Sequence, residues 1–147
     1  LAPSVTLLTV NALAASDEVI VPVQAEYYSL EGLSQLLETV DLVKKNLKHS
    51  IAIRGAIITM VDRRSRLSKE VDQNVRTHFP HRVFQTVIPR SIALAEAPSF
   101  GVPVMLYKPE SSGAQAYRAL AEELIREEVH PITRETVKSP NFGELRS

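Results

Sequence analysis

The side chains best suited to chemistry include arginines grouped in one short stretch of the chain. Arg63, Arg64 and Arg66 stand almost side by side, and such a cluster can either contact the phosphates of a nucleic acid or form an ordinary solvated loop. The whole chain carries 17 basic and 17 acidic residues. Only a local patch could therefore draw it to a polyanion, and the spacing leaves both interpretations open.

The four histidines do not form a metal-binding pattern. His78 and His81 flank Pro80, whereas His49 and His130 lie far away, and no carboxylate or thiol stands at a matching spacing. The chain has no cysteine, which removes disulfides and thiolate ligands and suits a reducing compartment. We therefore expect no metal site in these residues and a cytoplasmic location.

The elements that must position functional side chains alternate between strands and helices. Runs of apolar residues predict buried strands at residues 19–23, 51–60 and 83–88, and helical spacing predicts helices at 5–15 (capped by Ser4), 30–47, 67–79 and from Ser111 or Ser112 onward. Residues 89–109 hold four prolines and should form a loop around an extended piece at 104–107. This order predicts an α/β fold with a mainly parallel sheet.

Ligands of such sheets bind beyond the carboxyl ends of the strands, so the segments that follow the three predicted strands are the places to look for a site. These segments and two further stretches closely resemble the ParA/Soj chromosome and plasmid partition ATPases. The similar stretches run in the same order along the chain: LLTVNAL at 7–13, QAEYYSLEGLSQL at 24–36, TMVDRR at 59–64, IPRSIALAEAPSFG at 88–101 and YKPESSGAQAY at 107–117. Five blocks in the right order make the resemblance specific, and it covers residues 1 to about 127.

The resemblance implies part of a three-layer P-loop NTPase fold of the ParA/MinD kind, with a pocket for adenine at the second and third strand ends. Thr59, Met60 and Asp62 would lie near one edge of the base. Pro89 and Arg90 would lie on the other side, where Pro89 offers a rigid apolar face and the planar guanidinium of Arg90 can stack on a base or donate to a ribose. From the residues alone, the ordinary alternative is a buried Met60, an Asp62 that caps the next loop and a Pro89 that ends a strand.

Two other loops resemble surfaces that face the partner subunit in a nucleotide-sandwich homodimer. The first contains Glu26, Tyr27 and Tyr28, and the second contains Glu96 and Pro98. Tyrosines supply contact area at a low entropic cost. The alternative for the two tyrosines is that they cover the helix that follows them.

The resemblance also implies non-specific DNA binding and a centromere-binding, ParB-like partner. Arg64 aligns with an arginine that many relatives use on DNA, and Arg63 and Arg66 extend this cluster. A second customary arginine position holds Ala93 here, which weakens the expected affinity for DNA.

Relatives also carry a Lys-Gly-Gly-x-Gly-Lys-Thr loop whose amides and lysines hold the phosphates. No Gly-Lys pair occurs in these 147 residues. We therefore expect the C-terminal half of an ATPase domain over residues 1–127 and a flexible tail over 128–147. This half should contain no catalytic residue and should neither bind nor hydrolyse nucleotide alone, whereas the complete protein should bind ATP or ADP with Mg²⁺.

Two alternatives remain. The chain could be a non-catalytic module for dimerisation or partner binding that has lost its nucleotide site. A MinD-like protein that cycles on membranes would need a C-terminal amphipathic helix with a basic face, whereas residues 127–147 contain two prolines and mixed charge. We expect no membrane contact.

Overall fold

The computed structural model describes residues 6–26, 30–48 and 50–129, in which helices follow and separate two parallel strands. The elements occur in this order: α1 (Leu7–Ala14), β1 (Glu18–Gln24), α2 (Leu30–Leu47), β2 (Ala52–Thr59), α3 (Arg66–His78), α4 (Ile92–Glu96), a 3-10 helix (Ala97–Phe100), α5 (Val104–Tyr107) and α6 (Ser112–Val129). The predicted alternation of strands and helices is confirmed through α3.

The strands β1 and β2 pair in parallel, from Glu18 opposite Ala52 to Gln24 opposite Thr59, with one irregularity after Val19. Helices cover both faces of this pair. One face packs on α2 and α3 through these buried side chains: Val21, Val23, Ala56, Ile58, Val71 and Val75. The other face packs on α6, where Leu120 and Leu124 lie against the cluster of Ile57, Phe84 and Ile88. The expected three-layer arrangement is confirmed.

The third strand predicted at residues 83–88 is not a regular strand. The segment makes isolated parallel bridges to β2 and to the residues after it, Ala56 with Val83 and Val61 with Pro89. The amide of Phe84 donates to the carbonyl of Ala56, and the next bond runs from the amide of Ile88 to the carbonyl of Ile58. Between these two bonds the segment advances by four residues, whereas β2 advances by two. A regular ladder would keep equal steps on both chains. The prediction of a strand was wrong because two residues are inserted into the pairing.

The extended piece predicted at residues 104–107 is also wrong, because these residues form the helix α5 (Val104–Tyr107). Pro103 stands at its N-cap, and its carbonyl accepts the amides of Leu106 and Tyr107. Val104 is buried. Proline is tolerated at the start of a helix, because no intrahelical amide bond is lost there. Pro103 therefore stands where the helix α5 begins.

Three helix starts show which residues cap them. Thr6 rather than Ser4 caps α1, with its side chain accepting from the amide of Thr9 at 3.3 Å, and Ser4 lies outside the described residues. Ser65 caps α3. Ser111 accepts from the amide of Ala114 at the predicted start of α6. The predicted tail lies outside the described residues from 130 onward.

Candidate functional site

The segments after β1, after β2 and after residue 88 meet at one edge of the sheet. Ala25 donates its amide to the carbonyl of Thr59 at 2.9 Å, which joins the first segment to the second. Val61 donates to the carbonyl of Ile88 at 3.1 Å and Arg90 donates to that of Val61 at 3.0 Å, which joins the second to the third. The predicted convergence is confirmed, while the roles of individual residues stay predictions.

An ion pair between two side chains crosses the same edge. Nη2 of Arg90 lies 2.5 Å from Oε2 of Glu26, a residue 64 positions earlier in the chain. The side chain of Arg90 is 54% exposed and that of Glu26 is 31% exposed. The arginine expected beside the base and the glutamate expected at the dimer interface are therefore neighbours. Tyr27 and Tyr28 lie outside the described residues.

Met60 adopts an unusual backbone conformation where β2 ends. Its φ is +56°, in the left-handed region that residues with a Cβ seldom occupy. The residue is 41% exposed, so it is not the buried core residue of the ordinary alternative. The hydroxyl of Thr59 lies 3.5 Å from the carbonyl of Val23, a weak contact. The end of β2 therefore presents a flexible apolar side chain at the edge where the segments converge.

Asp62 organises the loop that carries the arginines. Its Oδ1 accepts from the amide of Arg64 at 2.9 Å, and its carbonyl accepts from the amide of Ser65 at 3.0 Å. Its own amide donates to the hydroxyl of Ser68, a fully buried residue on α3. These contacts are those of a residue that caps a turn, as the ordinary alternative predicted, and contact of Asp62 with a base stays a prediction.

The three arginines of this loop are exposed at the start of α3. Arg66 forms a pair with Glu70 at 3.2 Å, but its side chain is 93% exposed, and such surface pairs contribute little. Arg63 and Arg64 are also exposed. The amide end of α3 adds partial positive charge beside them. The loop can therefore attract a phosphate group.

Glu96 holds the second predicted dimer loop to the helix α5. Its Oε2 accepts from the hydroxyl of Tyr107 at 2.8 Å and from Nζ of Lys108 at 2.9 Å. The hydrogen bonds from Lys108 and then from Tyr107 lower the pKa of Glu96. Phe100 stacks on the ring of Tyr107 with 4.8 Å between ring centroids, and Pro98 is exposed.

Glu123, on α6, makes buried contacts that the sequence reasoning missed. Its Oε1 accepts from the amide of Gln85 at 2.8 Å and from Nη2 of Arg82 at 2.7 Å, and its Oε2 accepts from the amide of Thr86 at 2.9 Å. Burial alone would raise the pKa of Glu123, but the amides and Arg82 outweigh that effect and lower it. This carboxylate holds the two inserted residues of the third segment. No local pattern marks it, because it lies among other glutamates.

Within the described ranges, no group of three or more histidine, aspartate or glutamate side chains could hold a metal ion. No helix in the same ranges is long and apolar enough to cross a membrane.

Comparisons with known proteins identify relatives of this arrangement. A family model described as "AAA domain" matches residues 1–53. The sporulation initiation inhibitor protein Soj of Bacillus subtilis is 53% identical over 122 residues, which cover 83% of this chain and 48% of that protein. The chromosome partitioning protein ParA of Myxococcus xanthus is 46% identical over 138 residues, covering 94% of this chain and 46% of that protein. The chain thus spans about half the length of the curated relatives that it matches.

A solved structure shares the fold. The crystal structure of cobyrinic acid a,c-diamide synthase from Mycobacterium smegmatis, with bound ADP and magnesium, matches with a TM-score of 0.68 and 30% identity. The match covers 88% of this chain and 46% of that one. The α/β fold with a parallel sheet, expected for part of a P-loop NTPase, is confirmed. Over most of its own length and about half of theirs, the chain is homologous to the ParA and Soj chromosome-partitioning proteins.

Proposed function

We propose that the chain forms the nucleoside-binding side of a ParA/Soj-type ATPase that partitions chromosomes or plasmids in the cytoplasm. The observation that carries this proposal is the meeting of three loops at the carboxyl edge of the parallel strands. This edge is where open α/β sheets bind their ligands. Its exposed Met60 and Arg90 suit an adenine ring, because a thioether and a guanidinium plane both pack on aromatic faces.

The phosphates of ATP or ADP, with Mg²⁺, would be held by a Gly-rich loop that these 147 residues do not contain. Support for this step is the lack of a Gly-Lys pair in the sequence, since such a loop cradles phosphates with its amides and its lysine. The chain alone then stabilises no charge on a transferring phosphoryl group. Hydrolysis requires the additional segment.

Intact mass and Mg²⁺-dependent ATP hydrolysis of the natural protein test this proposal. A natural protein longer than 147 residues should hydrolyse ATP, whereas the isolated chain should not. Arg90→Ala in the natural protein should raise KM for ATP about tenfold with a smaller change in kcat, because a contact to the non-reacting base contributes to binding. Arg118→Ala, on the exposed face of α6, is the matched control. A long natural protein that binds no ATP would contradict the proposal, as would turnover by the chain alone.

The same proposal includes a homodimer that binds DNA non-specifically and a centromere-binding, ParB-like protein. The exposed cluster of Arg63, Arg64 and Arg66 supports DNA binding. Replacing all three with alanine in the natural protein should weaken mobility shifts at low salt and reduce the salt slope of binding by about three. Replacing the lysines at and just after the end of α2, Lys44, Lys45 and Lys48, should change the slope less. No shift by the unmodified natural protein would remove this activity.

A second candidate is the non-catalytic module for dimerisation or partner binding. Exposed apolar side chains around α4 and α5 favour it: Ile92 is 76% exposed, Phe100 64% and Leu106 75%. Apolar side chains exposed together often mark interfaces. A natural protein of about the mass of this chain that dimerises without nucleotide would support the module and not the ATPase.

A further inference from the structure

We propose that Glu26 is a positioning residue that fixes the guanidinium of Arg90 at the edge where the nucleoside binds. This inference rests on the proposed function, because it concerns how the same site holds its ligand. Glu26 would act through Arg90, by setting the direction of the guanidinium plane before the ligand arrives.

The geometry of the pair leaves most of the arginine for a ligand. Glu26 engages Nη2 of Arg90, whereas a guanidinium carries five N–H donors and two flat faces. The side chain of Arg90 is still 54% exposed with the pair formed. A ribose hydroxyl or a base can therefore meet Arg90 while Glu26 stays bound to it.

Both members of the pair stand on backbone that is already fixed. Ala25, directly before Glu26, donates its amide to the carbonyl of Thr59 at 2.9 Å. Arg90 donates its own amide to the carbonyl of Val61 at 3.0 Å. An exposed ion pair usually contributes little, in part because two mobile side chains must be ordered. Fixed backbone keeps the two side chains within reach of each other, and a guanidinium held in place loses less entropy when it binds a ligand.

In residues 6–26, 30–48 and 50–129, no second carboxylate duplicates this arrangement at the edge. Among the described residues, the carboxylate that the structure places on Arg90 is that of Glu26, while Asp62 directs Oδ1 to the amide of Arg64. Removing the Glu26 carboxylate should therefore release Arg90 without disturbing the turn after β2.

The first test measures the order of Arg90 in the natural full-length protein by NMR of ¹⁵N-labelled arginine side chains. Wild type should show slowed guanidinium rotation for Arg90, and Glu26→Ala should show rotation like that of the exposed Arg118. Glu26→Gln, which keeps an acceptor oxygen, should be intermediate. Rotation of Arg90 that is already as fast as that of Arg118 in wild type would overturn the proposal.

The second test measures the affinity of the natural full-length protein for ADP in a double-mutant cycle. Glu26→Ala should weaken ADP about tenfold, Glu26→Gln should restore part of the loss, and Glu26→Ala should have no further effect when Arg90 is already alanine. A merely structural role would weaken ADP equally in both backgrounds and would overturn the proposal. If wild type binds ADP and Glu26→Ala leaves its affinity unchanged, the positioning role alone fails. If wild type binds no ADP, the proposed function fails and the positioning role fails with it.

Discussion

Gly55 lies on β2 beside the segment that follows α3. A Cβ added there would lie 2.9 Å from the carbonyl oxygen of Arg82 and 3.2 Å from the ring of Phe84, and the residue has a φ of +156°. Real Cβ atoms do not approach a backbone oxygen this closely, and residues with a Cβ avoid this region of φ. The position therefore requires glycine for both its space and its conformation.

We predict that Gly55→Ala lowers the free energy of unfolding by about 2 to 3 kcal/mol, because the strand must move away from its neighbour. Urea denaturation measures this change. Gly101→Ala is the matched control, since Gly101 has a φ of +64° but no atom within 4 Å of an added Cβ. It should lose about 1 kcal/mol, from conformational strain alone. Equal losses would show that the close approach to Arg82 does not matter.

The sequence predicted the place of the candidate site better than the contacts of its individual side chains. The strand-end rule placed Thr59, Met60 and Arg90 at one edge, and their segments do meet there. The pair between Arg90 and Glu26 was not predictable, because it joins residues 64 positions apart and depends on how two loops turn. The left-handed φ of Met60 was not predictable either, because in a sequence only glycine or asparagine indicates such a conformation.

At the scale of elements, regular pairing was predictable and interrupted pairing was not. β1 is rich in valine and β2 in isoleucine and alanine, and their parallel pairing follows from the helix between them. The segment 83–88 is also mostly apolar and β-branched, but Gln85 and Thr86 turn their amides to Glu123, which lies almost 40 residues further along. A pattern read along the chain does not contain that partner. The start of α5 was missed for a local reason, since Pro103 was taken as part of a loop.

We predict that Glu123→Ala lowers the free energy of unfolding by about 2 to 4 kcal/mol, because two amides and Arg82 lose a buried acceptor. Hydrogen exchange should show that the amides of Gln85 and Thr86 lose their protection, while those of β2 lose only as much as the global stability falls. Glu122→Ala, an exposed neighbour on the same helix, should change stability by less than about 0.5 kcal/mol. Unchanged protection of both amides in Glu123→Ala would contradict the assigned contacts.

The stabilising contribution of Glu123 should depend on pH. Its pKa in the folded chain lies below the ordinary value of 4.5, so folding favours the ionised carboxylate. That contribution is complete above the unfolded pKa and is lost as the pH falls through the folded pKa. The difference in unfolding free energy between wild type and Glu123→Gln should therefore be constant near neutral pH and shrink below about pH 4.5. If this difference grew on acidification, the pKa of Glu123 would be raised by folding, which would contradict this account.

At the scale of the whole molecule, the outer edge of β1 is the feature that bears on self-association of the chain. The carbonyl of Asp17 accepts from the amide of Ala52, and the amide of Ala25 donates to the carbonyl of Thr59. Successive residues of a strand direct their backbone N–H and C=O groups to opposite sides, so those of Ile20 and Pro22 point to the outer edge of β1. Within the described residues, β1 pairs with β2 alone. Pro22 removes one donor from that edge, but other groups remain available to a further strand.

We predict that the isolated chain associates with itself at micromolar concentration, because an unpaired strand edge with apolar side chains is a template for another strand. Ile20 is 38% exposed on β1, and Ile20→Lys should shift the chain towards monomer, since a lysine on an edge strand opposes pairing. Leu42→Lys is the matched control, because Leu42 is 57% exposed on α2 and away from the strand edge. Multi-angle light scattering over a hundredfold range of concentration measures both variants and wild type. A wild-type chain that stays monomeric over this range, or equal effects of the two substitutions, would show that the edge of β1 does not drive association.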